Sequence, residues 1–101
     1  MKGRPISDPP CRMDVWLWRA RFFKSRSLAA AYLTAGGVRL HRHGGVRRAE
    51  PATPAAPGDS LVFAGPDGRV RSIRILAVGH RRGPAAEALT LYEEIQAPLD
   101  D

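Results

Sequence analysis

The chain of 101 residues contains one cysteine, Cys11, so it has no partner for an internal disulfide and too few thiols for a cysteine-rich zinc module. Cys11 sits in a proline-rich lead-in with no histidine or aspartate placed beside it in a catalytic pattern, and reads as a passive thiol. Long apolar runs are missing: the longest, 15–23, is interrupted by Arg19 and Arg21, against the ~20 residues a bilayer span requires. The opening Met1-Lys2-Gly3-Arg4-Pro5 carries no apolar segment, so a secretory signal is not expected, and a cytoplasmic protein without membrane contact is. There is no Gly-x-x-x-x-Gly-Lys-Ser/Thr loop, dinucleotide glycine pattern or nucleophile elbow, and the sequence implies neither a cofactor nor a small-molecule substrate. Acidic residues are scarce where basic ones are dense. Residues 12–48 hold nine Lys and Arg against Asp14 alone, whereas 83–101 hold five Asp and Glu and no base.

What is present is enough for one folded unit: 44% hydrophobic residues in a length that accommodates a single domain at ~100–200 residues each. The net charge is +6 and the isoelectric point about 10.7, in the range of nucleic-acid binders. Residues 1–11, with Pro5, Pro9 and Pro10 and no periodicity, read as a disordered arm. A helix is expected over 14–23, with Met13, Trp16, Leu17, Ala20 and Phe23 on one stripe. Val15, Trp18 and Phe22 make a second apolar patch, to be covered by a further element or left open for base stacking. Ser25 is a good N-cap for a helix over 26–35 whose Leu28, Ala31, Tyr32 and Ala35 share a face, and Gly36-Gly37 ends it. Strands are expected at 38–40, 61–63 and 70–78, with a short one at 46–48; Pro57-Gly58-Asp59 and Pro66-Asp67-Gly68 supply turns. Pro84 suits the first turn of a last helix reaching about residue 94, and Pro98 onward should fray.

Two groups of cations stand out. Lys24-Ser25-Arg26-Ser27 sets two charges and two hydroxyls at a helix start, where free N–H groups and the helix dipole already favour an anion. Arg39, Arg42, Arg47 and Arg48 follow on a strand and its loop. Guanidinium forks fit phosphate oxygens, and their planes stack on unpaired bases. Together these residues predict a nucleic-acid face. A histidine-dependent ribonuclease built on His41, His43 and His80 competes with two exposed imidazoles on a Gly-rich loop, which explains the pattern more simply; the same pair lacks the further ligands of a metal site. An adaptor using the acidic tail and the Val15, Trp18, Phe22 patch is a third class.

The run Arg12-Met13-Asp14-Val15-Trp16-Leu17-Trp18-Arg19-Ala20-Arg21-Phe22-Phe23-Lys24-Ser25-Arg26-Ser27-Leu28-Ala29 resembles the opening of the S4 RNA-binding domain, and within that superfamily the bacterial heat-shock protein 15 family. Gly36-Gly37-Val38-Arg39-Leu40 and Pro57-Gly58-Asp59-Ser60-Leu61 match later stations, and Arg81 to Ala88 with Leu91-Tyr92-Glu93-Glu94 resembles the family's C-terminal extension. The resemblance implies an α+β fold of S4 type: two packed N-terminal helices on a small, curved, mostly antiparallel sheet, plus a C-terminal helix. The implied division is an arm at 1–11, an RNA-binding domain at 12–80 and a helical extension with an acidic tail at 81–101. It implies a non-catalytic protein that binds structured ribosomal RNA on the free large subunit and helps recycle subunits blocked by a nascent chain on tRNA; a monomer is expected. Arg12, Lys24, Ser25, Arg26 and Arg39 are the RNA contacts carried over, with Asp14 orienting Arg12; Arg42, Arg47 and Arg48 are added on charge alone. His41 to Arg48 runs a few residues longer than the family pattern. A regulatory module for tRNA or a messenger leader is the rival within RNA binding.

Overall fold

The structure, a computed structural model, describes residues 11–65 and 68–96. Its elements run β1 (Cys11–Arg12), α1 (Met13–Arg19), α2 (Arg26–Thr34), β2 (Val38–Arg42), β3 (Gly45–Arg48), β4 (Pro54–Ala55), β5 (Ser60–Ala64), β6 (Val70–Ile75), α3 (Ala85–Ala88) and β7 (Tyr92–Glu94). Five strands form one antiparallel sheet in the order β3-β2-β5-β6-β7, and β1 pairs separately with β4. Alternation along the strands sends Val38, Leu40, Leu61, Phe63, Ile73 and Ile75 to one face, where they share a core with Met13, Trp16 and Leu17 of α1 and with Ala29 and Leu33 of α2. Truncating any of these large apolar side chains to Ala would cost on the order of 2–5 kcal/mol. The mixed α/β architecture is the one expected.

Four local features depart from expectation. The first helix ends at Arg19, not 23. Arg21 adopts a left-handed backbone (φ 67), held by its Nε donating to the Gly83 carbonyl at 2.8 Å. The reversal brings Phe22 and Phe23, which an unbroken helix would set about 100° apart, into the same core. Phe22 meets Phe63 edge-on at 5.2 Å and Tyr92 at 4.6 Å.

The second helix is capped as anticipated, the Leu28 N–H donating to Ser25 Oγ at 3.1 Å, and Gly36 (φ 85) turns the chain beyond it. Gly37 must be glycine, since a Cβ there would lie 2.5 Å from the Tyr32 ring. The core face of this helix, however, is Ala29 and Leu33; Leu28, Ala31, Tyr32 and Ala35 instead line, with Phe23, an open apolar groove of about 450 Å³, and Leu28 is 53% exposed.

The C-terminal helix reaches only from Ala85 to Ala88. The strand β6 stops at Ile75 because the Leu76 and Ala77 N–H groups both turn to the Leu91 carbonyl, which starts β7 along the β6 edge with Ile75 opposite Tyr92 and Ile73 opposite Glu94. Residues 81–96 therefore return to the sheet after one short helix instead of continuing as a helix to about residue 94, and the fraying expected from Pro98 falls outside the described residues. Finally, Cys11, assigned to the arm, is buried opposite Ala55. Residues 1–10, most of the 66–68 turn and the tail from 97 lie outside the described residues.

Candidate nucleic-acid interface

Antiparallel register sets Arg39 opposite Arg48 and His41 opposite Val46 on one face of the β2–β3 hairpin, with Leu40 opposite Arg47 on the other. Because β3 is an edge strand reaching past the core, all four of its residues are exposed, Arg47 and Arg48 among them. His43 occupies the hairpin turn in a left-handed conformation (φ 51). Arg12 and Arg42 converge elsewhere. Arg12 is the register partner of Pro54, and Arg42 Nη2 donates to the Pro54 carbonyl at 2.9 Å. Lys24, Ser25 and Arg26 stand at the head of α2, and among the described residues no hydrogen bond or ion pair joins them to the hairpin.

Ion pairing separates the predicted cations into two kinds. The six carboxylates among the described residues each hold one arginine: Asp14 with Arg12 (3.0 Å), Glu50 with Arg48 (3.1 Å), Asp59 with Arg42 (2.6 Å), Glu87 with Arg81 (2.7 Å), Glu93 with Arg74 (2.7 Å) and Glu94 with Arg71. The acidic residues of the C-terminal segment therefore neutralise arginines beside it and across β6.

Arg42 is the one most tightly held. Its Nε and Nη2 bind both oxygens of Asp59 in a fork, and its side chain is 28% exposed against 5% for Asp59. These hydrogen bonds push the Arg42 pKa above its ordinary value. Arg42, chosen on charge alone, thus serves as a brace between the hairpin, β4 and the Pro57-Gly58-Asp59 turn. Asp59 went unnoticed in the sequence because its turn explained it. Arg12 is held by Asp14 through two hydrogen bonds of 3.1 and 3.0 Å, the orienting relation anticipated, and remains half exposed. Arg48 makes an exposed pair with Glu50, of a kind worth only ~0–1 kcal/mol and readily exchanged for another anion.

The other cations fall out sharply. Arg19 is tied to the Val78 and Gly79 carbonyls and to the Cys11 sulfur, and burial pushes the Cys11 thiol up, countering any nucleophilic role. Arg21 and Arg82 bind backbone carbonyls through Nε alone. Among the described residues, the cations with no hydrogen-bond, ion-pair or ring partner are Lys24, Arg26, Arg39 and Arg47, all four of them in the set singled out from sequence. Ser25 faces the helix end it caps. No group of three or more His, Cys, Asp or Glu among the described residues is placed to hold a metal ion, and no helix among them is long and apolar enough to cross a membrane.

No protein-family model matches the chain. Individual proteins do. The heat shock protein 15 homolog of Aeromonas salmonicida is 40% identical over 89 residues, covering 87% of this chain and 63% of that protein. Heat shock protein 15 of Escherichia coli K12 is 35% identical over 94 residues, covering 93% of this chain and 65% of that protein. The homolog of Haemophilus influenzae is 33% identical over 94 residues and is covered to 68%. The chain spans just under two thirds of the length of the first two relatives. Among solved structures, heat shock protein 15 of Vibrio cholerae, described as trimeric, superimposes with a TM-score of 0.73 at 35% identity, over 86% of this chain and 83% of that one.

Proposed function

The chain belongs to the heat shock protein 15 family, and from that membership together with its free cations we propose that it is a non-catalytic, cytoplasmic protein that binds structured RNA. The RNA is ribosomal, on the free large subunit, and binding aids the recycling of subunits that still carry a nascent chain on tRNA. The observation that carries this reading is that Lys24, Arg26, Arg39 and Arg47 have no partner among the described residues, while each described carboxylate is occupied elsewhere. Unpaired surface cations keep their full attraction for phosphate, and a helix start adds its dipole beside two of them. Arg12 and Arg48, half exposed and held by single carboxylates, are further phosphate contacts once those partners are exchanged, and Arg42 braces the hairpin against β4 and Asp59.

Sedimentation of ribosomal particles tests the proposal. The protein should travel with free large subunits, and the Lys24→Ala/Arg26→Ala variant should stay at the top of the gradient while melting at the wild-type temperature. Wild-type protein that remains unbound, or that crosslinks only to tRNA or messenger RNA, would overturn the ribosomal assignment.

A further inference from the structure

The segment 81–83 is zipped onto the end of α1 by two hydrogen bonds of long sequence separation. Arg21 Nε donates to the Gly83 carbonyl at 2.8 Å, and Arg82 Nε donates to the Trp18 carbonyl at 3.0 Å. Both guanidinium groups are fixed through Nε, which leaves their terminal nitrogens without a partner among the described residues. The Arg82 Cζ lies over the Trp18 indole, 5.8 Å from the ring centre, and both side chains are half-buried rather than enclosed. No carboxylate among the described residues neutralises either arginine. Glu87, which packs against Gly83, is bound instead by Arg81 through two hydrogen bonds of 3.2 and 2.7 Å. Gly83 lies close beneath the same carboxyl group: a Cβ on it would come within 2.5 Å and oblige the Glu87 side chain to shift.

We propose that Trp18 and Arg82, flanked by Arg21, form a platform on which an unpaired RNA base stacks, with its phosphate held by the free guanidinium nitrogens. The inference rests on the RNA-binding reading above and extends it to a site formed by the C-terminal segment. Arg21 lies three residues before Lys24, in the corner between α1 and α2. A planar ring with a planar cation over it suits a base of any sequence, since every base has a π-face. The arrangement recognises unpaired RNA and gives nothing to a blunt duplex, whose bases are already stacked.

Two labelled RNAs test it: a hairpin with a single-stranded adenine tail, and a blunt duplex with the same number of phosphates. Trp18→Leu should weaken binding of the tailed RNA by about tenfold, the size of one base–aromatic stack, and leave the duplex unchanged. Trp18→Phe should keep most of the affinity. Arg82→Lys retains the charge and removes the plane, and should reproduce the selective weakening even if Trp18→Leu fails to fold. Equal weakening on both RNAs, or none on either, would overturn the platform while Lys24→Ala/Arg26→Ala still reports on the main site. Wild-type protein that binds neither RNA would remove the underlying reading itself.

Discussion

Arg42 and Arg47 sit on one hairpin, five positions apart, and the fold treats them oppositely. Arg42 is bound by the buried Asp59 carboxylate, which also accepts from the Ala56 N–H, whereas Arg47 meets no partner among the described residues. Arg42→Ala would leave a buried carboxylate without its counter-charge, a cost of about 2–4 kcal/mol. At ~4–8 °C per kcal/mol for a domain of this size, the melting temperature should fall by at least about 8 °C. Arg47→Ala should leave it within about 2 °C and instead weaken RNA binding. Calorimetry and a binding titration on both variants check this, and similar melting temperatures for the two would refute the division. Sequence could not separate them, since both are arginines in one basic stretch. The difference comes from Asp59, 17 residues further along, which antiparallel pairing of β2 with β5 carries beneath Arg42.

At the scale of elements, Ser25 has a double position: it caps α2 and stands between two free cations. Aspartate caps a helix as well as serine does, but adds negative charge where RNA phosphate would lie. Ser25→Asp should therefore keep the wild-type stability while reducing RNA affinity severalfold, and Ser25→Ala should lower stability by about 1 kcal/mol. A urea titration alongside RNA binding decides; unchanged affinity in Ser25→Asp would place the phosphate elsewhere. This cap, the glycine end of α2 and the strands β2 and β5 were legible because each is signalled by residues within a few positions. The end of α1 was not, since Arg21 turns left-handed with help from Gly83, 62 residues away. Nor was β7, a three-residue strand defined by the β6 edge and by the Glu93–Arg74 and Glu94–Arg71 pairs. For α2 the sequence reading grouped Leu28, Ala31, Tyr32 and Ala35 on one face, whereas packing on α1 and the sheet selects Ala29 and Leu33.

For the whole molecule, net charge of +6 says less than the allocation of its opposite charges. Had Glu87, Glu93 and Glu94 paired with the hairpin instead of with Arg81, Arg74 and Arg71, the same composition would leave fewer cations open there. Replacing Lys24, Arg26, Arg39 and Arg47 with Ala should reduce the slope of log affinity against log salt by about 4, roughly one unit for each phosphate no longer neutralised. Binding measured across a salt series checks it; a slope that does not move would mean these residues touch no phosphate. The charge density of the site was readable in sequence, but which cations stay unpaired depends on pairs spanning up to 23 residues. The position of β7 has a consequence for biosynthesis. An emerging polypeptide exposes the outer hydrogen-bonding groups of β6 until residues 92–94 have left the ribosome, and such an edge invites pairing with other chains. The interval between the emergence of residue 75 and that of residue 94 is thus the window of greatest aggregation risk, closed by three residues of which only Tyr92 packs against the core.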